Sequence, residues 1–128
     1  MKAHIANDEL VMHGAVGASF FDDEGLTAAD VRAATADLSG DLTIRLNSGG
    51  GDAFEGAAIH AVLSAYEGPK TIIVEGIAAS AASLIAMAGD EIGMAEGAMM
   101  MIHDPSGITL GTAADHQKQA ETLNALKT

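Results

Sequence analysis

Apolar positions along this chain repeat in two rhythms, and glycines mark most of the places where one gives way to the other. Leu42-Thr43-Ile44-Arg45-Leu46 alternates apolar and polar residues, the period of a half-buried strand. Residues 10–16 read as a strand with a kink at Gly14. Residues 71–74, Thr-Ile-Ile-Val, form a β-branched run suited to a buried strand. Residues 91–94 and 98–102 are shorter strand candidates, separated by a turn at Glu96-Gly97.

Between these runs the spacing turns helical. Thr27-Ala28-Ala29-Asp30 resembles a capping box with Asp in place of Glu, and predicts a helix to about Leu38, broken at Gly40-Asp41. A second helix is predicted from about Ala53 to Tyr66, with Phe54, Ala57, Ala58, Ala61, Val62 and Ala65 on its apolar face. Gly68-Pro69 ends it. A third covers residues 84–88, starts at or just before Ser80 and stops at Gly89. Thr112-Ala113-Ala114-Asp115 repeats the capping pattern and opens a last helix toward Lys127. That helix meets no stop signal, which reads as a sequence cut short or a free C-terminus. Strands alternating with helices predict an α/β fold, a mostly parallel sheet with flanking helices, in one domain over residues 1–128.

Composition adds two constraints. The chain is 48% hydrophobic but only 3% aromatic, so its core is built from Ala, Ile, Leu, Val and Met. A mean hydropathy of +0.23 is high for a small monomer and predicts apolar surface covered by another subunit. The net charge of −12 argues against a nucleic-acid partner and against an anionic membrane surface. With no cysteine there is no disulfide and no thiolate metal site. His4, His13, His60 and His116 lack close ligand spacing, so no metal site is expected. No apolar run approaches a membrane span and the amino end lacks a signal-peptide core, which makes the cytoplasm the default location.

Three loops follow strand candidates: Asn47-Ser48-Gly49-Gly50-Gly51, the segment from Gly76 to Ser80, and His103-Asp104-Pro105-Ser106-Gly107. In a parallel sheet the carboxyl ends of the strands share one rim, where sites assemble. Glycine-rich backbone, a serine and a histidine meeting there are the parts for acyl transfer. Taken alone, Ser80 reads more simply as a helix N-cap, and His103 as a structural turn histidine. The glycine loop lacks the lysine and spacing of a phosphate cradle. Met99-Met100-Met101 reads as core or interface filler, residues 22–24 (Asp-Asp-Glu) as a solvated loop, and Ser83 as a local packing or capping residue.

Together, Asn47-Ser48-Gly49-Gly50-Gly51, Gly76-Ile77-Ala78-Ala79-Ser80 and Met101-Ile102-His103-Asp104-Pro105 resemble, in order and spacing, the ClpP-like serine proteases. They look closest to the head maturation (prohead) proteases of tailed phages and prophages. The resemblance implies a ClpP/crotonase-like fold and a serine endopeptidase with Ser80 as nucleophile and His103 as general base. Its oxyanion hole would be backbone N–H of Gly50 or Gly51 and of Ala81. Family members form rings, commonly of seven, and cut polypeptides; ClpP works with an ATP-driven unfoldase, whereas the phage relatives cut capsid and scaffold proteins, which would place this chain in a bacterial cytoplasm or a phage prohead. Peptide hydrolysis itself needs neither ATP nor a cofactor.

The helix from Thr112 would begin the family's ring-to-ring handle. Gly49 stands where a proline is common, and the family's catalytic aspartate lies past the handle, with no residue here in its slot. Asp104 and Asp115 are explained better as a neighbour pointing away and as a helix cap. Three rival readings follow. One is a non-catalytic ClpP-like assembly subunit, and a second is a crotonase-type acyl-CoA enzyme. The third is a Ser–Lys protease using Lys70, which lies at the far end of the serine's strand.

Overall fold

The computed structural model describes residues 3–17 and 25–127, so the acidic stretch at residues 22–24 lies outside the described residues. Ten elements follow in order: β1 (Ala3–Ala6), β2 (Glu9–His13), α1 (Ala28–Thr35), β3 (Leu42–Ser48), α2 (Ala53–Ala65), β4 (Lys70–Ala79), α3 (Ala81–Ala86), β5 (Glu91–Met94), β6 (Met99–Met101) and α4 (Ala113–Leu126). The sheet runs β1-β2-β3-β4-β5, with β6 also on β4. Every pairing is parallel except β1 with β2, which makes the sheet mixed.

Sequence patterning missed β1. It turns into β2 at Asn7 and Asp8, whose φ values of 52° and 62° suit a tight hairpin. β2 stops at His13, so Gly14, with φ 111°, lies just past the strand, where its N–H still donates to Asn47 O at 3.1 Å. β3 follows its alternation: Leu42, Ile44, Leu46 and Ser48 point to the core. The opposite positions are half-exposed and include Arg45, which pairs with Glu9 at 3.2 Å.

α2 turns a different face inward from the one predicted. Gly56, Ile59 and Leu63 are its buried residues, while Phe54 is 66% exposed and Ala57, Ala61 and Ala65 are also exposed. Volume decides the choice: burying Ile59 and Leu63 contributes about 1.5–3 kcal/mol each, far more than an alanine stripe. Gly56 permits the close approach to α3, where an added Cβ would sit 3.0 Å from Ala81 Cβ. Asp52 caps α2 through Phe54 and Glu55 N–H, at 2.8 and 3.2 Å.

β4 is longer than the apolar run that announced it. It continues through Gly76 to Ala79, directly before Ser80, and α3 starts at Ala81 and ends at Ala86. Partway along, β4 changes neighbours on one edge: Thr71–Val74 pair with β5, and Ile77–Ala79 pair with β6. On its other edge the register to β3 slips, from Leu46↔Val74 to Ser48↔Ala78. Met100 packs on the core, but Met99 and Met101 stand outward, 64% and 48% exposed. α4 carries the complete capping box at Thr112 and Asp115 and has no buried residue.

Candidate active site

β3, β4 and β6 are parallel, so Gly51, Ser80 and His103, which follow their carboxyl ends, come to one rim. All three line one cleft of about 260 Å³, roofed by Gln119, Leu123 and Leu126 of α4.

The glycine loop is tied down from both sides. Val16 N–H donates to Gly50 O at 2.9 Å, and Asp52 N–H to Val16 O at 3.0 Å. Gly50 N–H donates to the buried Ser48 Oγ at 3.1 Å. Gly51 N–H has no acceptor among the described residues. Gly50 has φ +97°, and a Cβ there would lie 2.6 Å from Ala79 O and 2.7 Å from Ser80 Cβ. A glycine is required here, because the loop backbone rests directly against the serine.

Ser80 forms the corner between β4 and α3 with φ 57° and ψ −124°, a conformation that L-residues rarely adopt. A sharp, strained strand-to-helix turn of this kind presents a serine hydroxyl outward. The corner is held by Ser80 N–H to Met101 O at 2.9 Å, and by Ser83 N–H and Ser83 Oγ to Ser80 O at 2.9 and 2.6 Å. Ser80 stands at the N-cap position of α3, as its place before the helix predicts, but its Oγ makes no capping bond. Ser83 supplies the local support expected of it. Ala81 N–H, the first of α3, has no acceptor among the described residues.

His103 lies two residues past β6 and is exposed. Its Nδ1 is 2.5 Å from Asp104 O. A carbonyl only accepts, so in the neutral ring this contact places the proton on Nδ1 and the lone pair on Nε2. Among the described residues Ser80 and His103 share the cleft without a direct hydrogen bond. The Asp104 carboxylate pairs with Lys127 at 3.5 Å. Asp115 accepts from the backbone N–H and hydroxyl of Thr112, in that order of effect, and its pKa falls below the ordinary value. Lys70 is buried at the start of β4, donating to Tyr66 O and Gly68 O at 3.3 and 3.4 Å, a whole strand away from Ser80.

Next to the cleft is a second cavity of about 270 Å³, walled by Phe54, Ala57, Leu84, Ile102 and Leu126, with Ser80 and His103 at its edge. Sequence reasoning assigned Phe54 to the core; its exposure on α2 puts it in this wall instead. A larger groove, about 800 Å³, runs between α1 and α2 along Arg32, Leu38, Val62 and Tyr66 and contains neither Ser80 nor His103. Among the described residues no group of three His, Cys, Asp or Glu could hold a metal. No helix among them is long and apolar enough to cross a membrane.

The chain is similar to known proteins in both sequence and fold. Residues 26–128 match the Clp protease family. The ATP-dependent Clp protease proteolytic subunit 3 of Rhodococcus jostii (strain RHA1) is 34% identical over 97 residues, covering 73% of this chain and 48% of that protein. The chain therefore spans about half the length of this curated relative. A solved structure of a point mutant of ClpP1 from Listeria monocytogenes shares the fold with a TM-score of 0.74 at 19% identity, over 94% of this chain and 66% of that one. With a family match across most of its length and the fold to go with it, this chain belongs to the Clp protease family.

Proposed function

We propose that this chain carries the catalytic core of a Clp-type serine endopeptidase subunit, with Ser80 as nucleophile and His103 as general base. The observation that carries the reading is the strained Ser80 corner, with its hydroxyl uncommitted among the described residues, in a cleft shared with Gly51 and His103. His103 Nε2 takes the Ser80 proton as Oγ attacks the peptide carbonyl. The tetrahedral oxyanion accepts from Ala81 N–H and from Gly51 N–H, rather than from Gly50 N–H, which Ser48 occupies. The imidazolium then protonates the leaving amine, giving an acyl-enzyme that water hydrolyses by the same steps in reverse. No step calls for a cofactor. The Asp104 carbonyl orients the ring, but it brings no negative charge to the imidazolium. The reading therefore calls for an orienting carboxylate that the described residues do not contribute.

The apolar cavity beside Ser80 favours an apolar side chain next to the cleaved bond. Ring assembly, an ATP-driven unfoldase partner, the ring-to-ring role of α4 and a single domain over residues 1–128 follow from the family resemblance. The narrower setting, cleavage of capsid and scaffold proteins during phage head maturation, rests on the motif resemblance alone. In the whole protein, a fluorophosphonate probe is expected to label Ser80, and Ser80→Ala is expected to abolish both labelling and peptide hydrolysis. Hydrolysis that survives Ser80→Ala refutes the assignment, and a wild-type protein that resists the probe supports an assembly subunit.

A further inference from the structure

We propose that Asn47 is a positioning residue for Ser80: its side-chain amide bridges the bulge in β4 and sets where the second half of that strand ends. The proposal rests on the reading of Ser80 as the nucleophile.

Up to Leu46↔Val74, β3 and β4 pair residue for residue. The next pair is Ser48↔Ala78, so Glu75, Gly76 and Ile77 on β4 face Asn47 alone on β3. Two extra residues in one strand break the backbone ladder at that point. The Asn47 side chain repairs it, because Ile77 N–H donates to Asn47 Oδ1 at 3.1 Å. Asn47 is itself fixed through its own backbone, where its carbonyl accepts from Gly14 N–H at 3.1 Å. The side chain also fills the space beside Gly76. A Cβ on Gly76 would lie 2.8 Å from Asn47 Oδ1, 3.3 Å from Cγ and 3.5 Å from Nδ2, and these three are its nearest neighbours.

Everything downstream depends on this offset. β6 pairs with β4 only past the bulge, at Ile77, Ala78 and Ala79, and leads to His103. Ser80 follows directly, against Gly50. A change of register here would move Ser80 relative to both the glycine loop and the histidine segment. Strand pairing alone does not hold the offset, because bulged residues are those the ladder leaves out.

The test uses the whole protein and three variants. Asn47→Asp keeps an oxygen acceptor at the same reach, Asn47→Ala removes it, and Gly76→Ala pushes a methyl into it. Asn47→Ala and Gly76→Ala are each expected to slow fluorophosphonate labelling of Ser80 by between about tenfold and a hundredfold, the range for a lost hydrogen bond and a displaced reacting group. Asn47→Asp is expected to retain labelling within a few-fold.

The double variant Asn47→Ala/Gly76→Ala is expected to label no more slowly than Asn47→Ala alone, since the atoms the new methyl would strike are gone. A merely structural asparagine predicts additive losses that track thermal stability. Additivity, or wild-type labelling by Asn47→Ala, overturns the proposal. Amide exchange at Ile77 gives a readout independent of activity: protected in wild type and Asn47→Asp, at least about tenfold faster in Asn47→Ala. If the wild-type protein resists the probe, the nucleophile assignment fails while Ile77 exchange still decides the bridge. Should Asn47→Ala not fold, Gly76→Ala against Asn47→Asp decides it, with equal labelling in the two counting against.

Discussion

Replacing Gly50 by alanine tests the close packing of the glycine loop on Ser80 most directly. Two costs add. The backbone there has φ +97°, and placing an L-residue in the left-handed half of the map costs about 1–2 kcal/mol. The new methyl also meets Ala79 O at 2.6 Å, Ser80 Cβ at 2.7 Å and Ala81 N at 3.2 Å. Two of those are main-chain atoms that cannot swing aside, so overpacking adds about 1–3 kcal/mol. Gly97 separates the two costs, because it has φ +81° and a Cβ there would meet nothing within 4 Å. Gly97→Ala therefore carries strain alone, about 1–2 kcal/mol, whereas Gly50→Ala loses about 2–5 kcal/mol in all.

Urea unfolding followed by far-ultraviolet circular dichroism reads both, as shifts in midpoint at constant slope. With a slope of about 1–3 kcal/mol per molar urea, Gly50→Ala is expected to unfold earlier than Gly97→Ala by roughly 1 M. A displacement of Ser80 approaching 1 Å would also slow fluorophosphonate labelling by on the order of a hundredfold. Gly97→Ala should label like wild type. Equal stability losses in the two variants, with normal labelling of Gly50→Ala, would mean that the loop does not brace the serine.

Two further outcomes concern the exposed apolar residues past β6 and the capping box of α4. With Ile102 78%, Ile108 92% and Leu110 91% exposed, the whole protein should be oligomeric at micromolar concentration; light scattering that returns a monomer would contradict this. The pKa of Asp115 is lowered by its bonds to Thr112, so its support for α4 is complete above the ordinary aspartate value of 3.8 and fades as pH falls through the lower folded value. Helical circular dichroism titrated through that acid range should lose this component in Asp115→Asn, and an unchanged titration would mean that the capping box does not support the helix.

The rim of three loops was legible because each loop is marked locally, by glycines after an alternating run or by a turn motif after an apolar one. Alternation of strand and helix then implied parallel neighbours, which bring those loops together. What escaped the sequence depends on partners. The inward face of α2 was misjudged because Ala57, Ala58, Ala61 and Ala65 outnumber Ile59 and Leu63 without matching their volume. The bulge in β4 has one local trace, Gly76 inside the strand, but it is completed by a side chain of β3, Asn47. The backbone conformation of Ser80 likewise follows from what surrounds it, the Met101 and Ser83 bonds, and not from its neighbours in sequence. β1 carries one local signal, the Asn7-Asp8 turn pair ahead of the apolar run at Leu10.

The split partnership of β4 bears on how the site is held over time. The strand leading to His103 is three residues long, is paired to β4 only past the bulge, and buries little beyond Met100. Peeling it away would break that short ladder and the Ser80 N–H to Met101 O bond while Ile44, Ile59, Leu63 and Ile72 stayed packed. Opening on that scale requires far less free energy than global unfolding. Ser80 sits on a corner that the Met101 bond helps to hold and His103 on the margin itself, so under the proposed reading of the site one opening would disturb both residues together. Whatever stabilises the margin, whether substrate or a neighbouring subunit, sets the fraction of time the pair is assembled.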